Sequence, residues 1–242
     1  MNFRGSLLGL ALIAFPAAAA ENAWMEPTAS AIAELGVRTA PPDLARQVLR
    51  RFPIYRGGVG ETLREAATTV DAGVAADREA RAVVNAIRTH QPFSEVVRRC
   101  GRLAGWLAVA NQPLRAADRD TLEPFFREDY LRYVESTRRR FALARYRRPP
   151  AEPSALAAAA RARGDRYYDL IGREYRRVGG SSIRGTEAFD DRSTAFGIAS
   201  LSFSHAVSDV AAALGSAWVE AGGVDSRPQD PQLSPRISIT RR

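Results

Sequence analysis

Apolar positions along this chain recur at helical spacing, and the strict alternation of a half-buried strand is nearly absent. Pro27 and Thr28 open a first short helix that Gly36 closes, and Pro41, Pro42 and Asp43 start a second that runs to about Phe52. Gly57, Gly58 and Gly60 then read as a break in the chain. From residue 61 to residue 89 the pattern predicts one or two helices interrupted near Gly73, with Val83, Val84 and Ile87 facing inward. The clearest helix spans 94–111: Ser94 caps it, Val97, Cys100, Ala104, Leu107 and Ala108 form its apolar face, and Pro113 stops it. Gly101 and Gly105 lie four apart on that helix, a spacing that lets a neighbouring helix approach closely. A further helix is predicted over 129–141, a proline-rich break over 149–153, and another helix over 154–178 that ends at Gly179 and Gly180.

The last helix carries the strongest pattern. Asp190 and Asp191 precede Ser193, and Phe196, Ala199, Phe203, Val207, Val210, Leu214 and Trp218 follow as one stripe before Gly222 and Gly223. Ile198, Leu201 and Ala212 lie off the stripe, so the helix is apolar or small on nearly every side and is expected to run through the middle of a bundle. The predicted fold is therefore all-α, a single-domain helical bundle over residues 21–223, followed by a tail over 224–242 that has no periodicity and is expected to be disordered. There is no internal repeat.

The beginning of the chain is different in kind. A short positive start ending at Arg4, an apolar run from Leu7 to Phe15, and small residues up to Ala20 have the form of a secretory signal peptide over 1–20, with Ala18 and Ala20 supplying the cleavage pattern. The run is well short of the roughly 20 residues of a membrane-spanning helix. A periplasmic or secreted protein that does not span the membrane is the expectation.

Charge narrows the choice of partners only a little. The net charge is +8, and all 35 basic residues are arginines. A guanidinium fork pairs bidentately with phosphate or carboxylate, so an anionic ligand is compatible with this composition. Abundant alanine together with arginine is also what a coding bias against lysine produces. The densest basic stretch, 138–148, lies at a helix end before Pro149 and Pro150, where cations complement the helix dipole. A surface that binds nucleic acid or anionic lipid is for these reasons the less favoured reading. Cys100, the single cysteine, excludes an intrachain disulfide and sits among apolar residues as a small hydrophobe.

One local pattern carries a resemblance. The stretch GRLAGWLAVANQPLRAADRD, starting at Gly101, is similar to the signature helix of the zinc-dependent phospholipases C and single-strand-specific nucleases, which reads G-x-x-x-H-Y-x-x-D-x-x-N-P-L-H. In that superfamily of all-helical exported phosphate-ester hydrolases, the histidines and aspartate of the signature bind zinc. Trp106, Asn111, Pro113 and Leu114 keep the frame, while Gly105, Val109 and Arg115 stand where the resemblance puts His, Asp and His. The segment FREDYLRYVES is similar to the family's next element, F-H-x-x-Y-E, and places Arg127 at the histidine and Leu131 at the acid. Trp24 resembles the tryptophan that begins the family's mature chains, and FDDRSTAFGIASLSFSHAVSDV resembles their terminal helix. With two histidines in the whole chain, the family's three-zinc site cannot be assembled. The resemblance implies zinc as the family cofactor, but with its ligands replaced no cofactor is expected here.

Other residues have a structural and a functional reading side by side. His205 and Asp209 are four apart, on one helix face, and are the weak candidates for a metal site or an acid/base pair; a buried hydrogen-bonded pair explains the same spacing. Asp190 and Asp191 fit helix capping better than metal binding. His90 ends a helix. Tyr130, Tyr133, Tyr167, Tyr168 and Tyr175 alternate with arginines and could stack bases, although inward packing under arginine stems is the commoner arrangement. Phosphate-binding glycine loops, nucleophile elbows and cysteine-based metal motifs are absent from the sequence, and no catalytic residue is identified. The expectation is an exported, non-catalytic relative of the zinc phosphodiesterases with a binding or structural role. The alternatives are a phosphoric-ester hydrolase with an atypical site and an arginine-rich binder of nucleic acid or anionic lipid.

Overall fold

The computed structural model describes residues 23–66, 71–115, 124–148 and 151–225, and the segment expected to be a signal peptide, 1–20, and most of the expected tail lie outside them. The described residues form helices α1 (Glu26–Thr39), α2 (Pro42–Leu49), α3 (Phe52–Glu65), α4 (Ala72–Arg88), α5 (Phe93–Ala110), α6 (Pro124–Thr137), α7 (Pro153–Val178), α8 (Gly185–Ala188) and α9 (Thr194–Glu220). There is no strand among them. Local chemistry sets most of the starts: α1, α2, α3 and α7 carry proline in the first turn, where its fixed φ suits the helix and its missing N–H costs nothing. Asp71 starts α4 by accepting from the Gly73 and Val74 amides, and Ser193 starts α9 by accepting from the Phe196 amide. Gly179, at φ +124°, ends α7 in a backbone conformation that side chains rarely adopt.

Helix α9 packs against α1, α4, α5 and α7 and is the axis of an all-α, single-domain bundle. One contiguous apolar cluster, drawn from α1 through α9, forms the core. Phe203, Val207, Val210 and Leu214 of α9 are buried as expected, but Leu201 is exposed. The α9 segment is also long and apolar enough to cross a membrane by length and composition. Of its most apolar stretch, 78% is buried inside the bundle.

Four expectations are corrected. Gly57, Gly58 and Gly60 do not break the chain; they lie within α3. Gly58 and Gly101 are the points where α3 and α5 meet backbone to backbone: a Cβ on Gly58 would collide with the Arg98 carbonyl oxygen, and one on Gly101 with the Tyr55 carbonyl oxygen. Tertiary contact thus overrides the poor helix propensity of glycine. Gly73 does not interrupt a helix but sits in the first turn of α4, and Ser94 lies inside α5, whose start is set at Pro92. Helix α6 begins earlier than predicted, at Pro124, and ends at Thr137, with a 3-10 turn over Arg138–Arg140.

Outside the core, α3, α4 and α5 are joined by ion pairs. Arg102 of α5 reaches Glu61 and Glu65 of α3 and Glu79 of α4, at 3.3, 2.5 and 3.0 Å. Glu79 is buried, so this arginine supplies the charge that a desolvated carboxylate requires.

Candidate functional site

The positions singled out by the zinc-enzyme frame are occupied by packing. Gly105 faces α3, and a Cβ built on it would lie 2.7 Å from the Cβ of Thr62. Thr62 is fixed there by hydrogen bonds from its hydroxyl to the Gly58 and Arg102 carbonyls. Val109 and Leu131 are buried in the apolar core, on α5 and α6. Arg127, also on α6, is buried. Arg115 follows α5 near Asp71 and Arg161, and burial lowers its affinity for its proton against the pull of Asp71. Two surface cavities, an apolar groove of about 960 Å³ beside Trp24 and Phe52 and a smaller polar one beside Glu174 and Asp190, are lined by none of these five positions. Trp24 does reach the signature helix: its indole N–H donates to the Ala108 carbonyl at 2.8 Å.

The weak candidates His205 and Asp209 are brought together with polar groups, and those groups are arginines. Residues 141–148, between α6 and α7, run extended along α9. The Ala144 and Tyr146 amides donate to the hydroxyls of Ser204 and Ser208 at 3.2 and 3.0 Å, and those of Ser200 and Ser204 donate to the Ala142 carbonyl at 3.5 Å. Four helical residues rise about 6 Å and two extended residues about 6.6 Å, so serines four apart match alternate peptide groups of the strap. At its end the strap delivers Arg148. Its Nε donates to Asp209 Oδ1 at 2.7 Å, and its Nη2 donates to His205 Nδ1 at 2.8 Å. From the other side Arg163 of α7 donates through Nη2 to Asp209 Oδ2 at 3.1 Å and to the Asn111 side-chain oxygen at 3.0 Å. Asn111 in turn donates to Asp209 Oδ2 at 3.1 Å. Tyr146 stacks on His205 with ring centroids 4.1 Å apart.

This geometry limits the chemistry. Both carboxylate oxygens of Asp209, which is 1% exposed, are engaged by cations and an amide. The donor from Arg148 claims the Nδ1 lone pair of His205, which places the ring proton on Nε2 and leaves neither nitrogen as a ligand or base. Burial, with Arg163 and Arg148 beside it, lowers the His205 pKa to about 4, so the imidazole is neutral near pH 7. Two guanidiniums repel a metal cation from the same spot, and no group of three or more potential metal-binding side chains occurs among the described residues.

The remaining candidates take structural places. Asp190 accepts from the Arg192 amide in the turn before α9, while Ser193 is the cap, and Asp191 lies 3.6 Å from Arg140. His90 is exposed, at φ +54°, just past the end of α4. Burial pushes the Cys100 thiol up to about 12, the behaviour of an inert core residue. Tyr130, Tyr133, Tyr168 and Tyr175 are buried, so four of the five tyrosines offer no stacking platform. Sequence reasoning missed Tyr146, Arg148, Arg163 and the extended strap. The signal that was present is the serine row 200, 204 and 208 on an otherwise apolar helix, a row that asks for partners. In comparison with known proteins, the chain matches no family model, no curated protein and no solved structure.

Proposed function

We propose that this chain is a non-catalytic relative of the zinc-dependent phosphodiesterases, acting outside the cytoplasm through binding or as a structural component. The observation that carries the reading is the contact at Gly105. At the position where the resemblance requires a zinc-binding histidine, α3 lies so close that even a Cβ has no room, and Thr62 fills the space. Val109, one turn further along the same helix, is fully buried in the core, where it contributes packing and no lone pair. The closure of His205 and Asp209 by guanidiniums supports the same conclusion, since it removes the one remaining histidine–carboxylate pair from acid/base work.

The test is metal content together with turnover. Purified protein without the segment 1–20 is expected to hold far less than one zinc per chain by elemental analysis and to leave bis(p-nitrophenyl) phosphate unhydrolysed when zinc is added. Stoichiometric zinc with turnover that a chelator abolishes would end the proposal.

A further inference from the structure

The cluster around Asp209 has more cation than anion. Arg148 and Arg163 both pair with Asp209, and among the described residues no second carboxylate pairs with either. His205 is held neutral between them, so the group carries one net positive charge next to a carboxylate that is 1% exposed. Donors are left over as well. Arg148 uses its Nε and Nη2, and Arg163 uses its Nη2, while a guanidinium carries five N–H donors. The Nη1 groups of both arginines, the Nε of Arg163 and the Nε2–H of His205 have no protein acceptor among the described residues. The cluster is also reachable: the Arg148 and Arg163 side chains are 20% and 14% exposed, with Asp209 beneath them. It is held in place by the strap, by the Tyr146 ring stacked on His205, and by Arg148 lying 5.4 Å from that ring.

We propose that Arg148 and Arg163 form a binding site for a small oxyanion, a phosphate or sulfate group that takes the guanidinium donors Asp209 leaves open and neutralises the surplus charge. Asp209 and Asn111 act as positioning residues: they hold the two guanidiniums at fixed places, so the anion meets a preformed pair and not two free side chains. The inference rests on the binding role proposed above and names the chemistry that role would use.

The chain has two histidines, so imidazole ¹⁵N NMR of the protein from residue 21 onward gives two sets of signals, with exposed His90 as internal reference. Titration at constant ionic strength with inorganic phosphate, and separately with glycerol 3-phosphate, distinguishes a free ion from an anionic group carried on a larger molecule. Saturable movement of the His205 signals with either ligand, His90 staying still, is expected. Arg163→Gln is expected to weaken the Kd by about tenfold, the scale of one charge-assisted hydrogen bond. Should that variant fail to fold, Arg148→Gln carries the same expectation. Movement that never saturates, or that His90 shares, identifies an adventitious ion only and overturns the site, as does an unchanged Kd in a folded variant. The two proposals fail separately: zinc-dependent turnover removes the non-catalytic reading whatever phosphate does, and a metal-free, inactive protein that ignores phosphate removes only the oxyanion site.

Discussion

The contact between α3 and α5 and the seam between α9 and its strap close two faces of the bundle by opposite means. At the first, side chains have been deleted: Gly58, Gly101 and Gly105 let one helix lie on another with carbonyl oxygens and a threonine where side chains would stand. At the second, side chains have been supplied: Ser204, Ser208, His205 and Asp209 satisfy an extended backbone and two arginines. The first kind of contact has no tolerance for volume and little dependence on solvent conditions. The second tolerates volume but depends on every charge having its partner. Among the described residues the second leaves guanidinium donors over, on Arg148 and Arg163.

Removing Asp209 should give the largest effect. Asp209→Ala leaves two partly buried guanidiniums without their carboxylate, and loss of one partner from such a cluster costs about 3–5 kcal/mol, to be read from urea unfolding. A smaller loss would place the cluster in better contact with water than its burial indicates. Next comes the deleted-side-chain contact: Gly101→Ala forces a methyl group against the rigid Tyr55 carbonyl and is expected to cost about 1–3 kcal/mol, with no dependence on salt. A neutral result would mean that α3 and α5 separate freely.

Ser208→Ala tests the strap. It strips the Tyr146 amide of its acceptor at a buried hydroxyl and should cost about 1 kcal/mol. Faster amide exchange at Tyr146, with the core of α5 unchanged, is the local readout that identifies the strap as the part released. The smallest effect concerns pH. His205 has a folded-state pKa of about 4 against an ordinary value of 6.5, so between those values the unfolded chain binds the extra proton. Its contribution to stability is whole above pH 6.5 and declines as pH falls toward about 4. His205→Gln keeps an acceptor for Arg148 without titrating, and is expected to flatten the stability curve across that window. Equal slopes in the two proteins would show that Arg148 and Arg163 do not press on the imidazole.

Much of the fold was legible in the amino-acid sequence because helix formation is encoded in neighbouring residues. Proline near a start, Ser193 before α9, Gly179 after α7 and the stripe from Phe196 to Leu214 act within a turn or two of themselves, so α5, α7 and α9 are correct in kind and nearly so in extent. The glycines of α3 were misread for the same reason in reverse: alone they signal a break, and what keeps them helical is α5, supplied from elsewhere in the chain. The candidate site was half legible. His205 and Asp209 share a face by their spacing, and they do meet polar partners, but nothing around Arg148 or Arg163 separates those two from the other arginines of the chain.

What the sequence determined by itself is therefore the inventory and the local geometry: helices, a largely apolar central one, two histidines and no lysine. What the tertiary structure decided is which groups meet. It set α3 against Gly105, laid residues 141–148 along the serines of α9, and brought Arg148 and Arg163 to the same carboxylate from separate segments of the chain. Hydrogen-bond and charge partners far apart in sequence are chosen by packing as a whole, because a buried charge takes whichever complementary group the fold delivers to it, and no local pattern records that delivery.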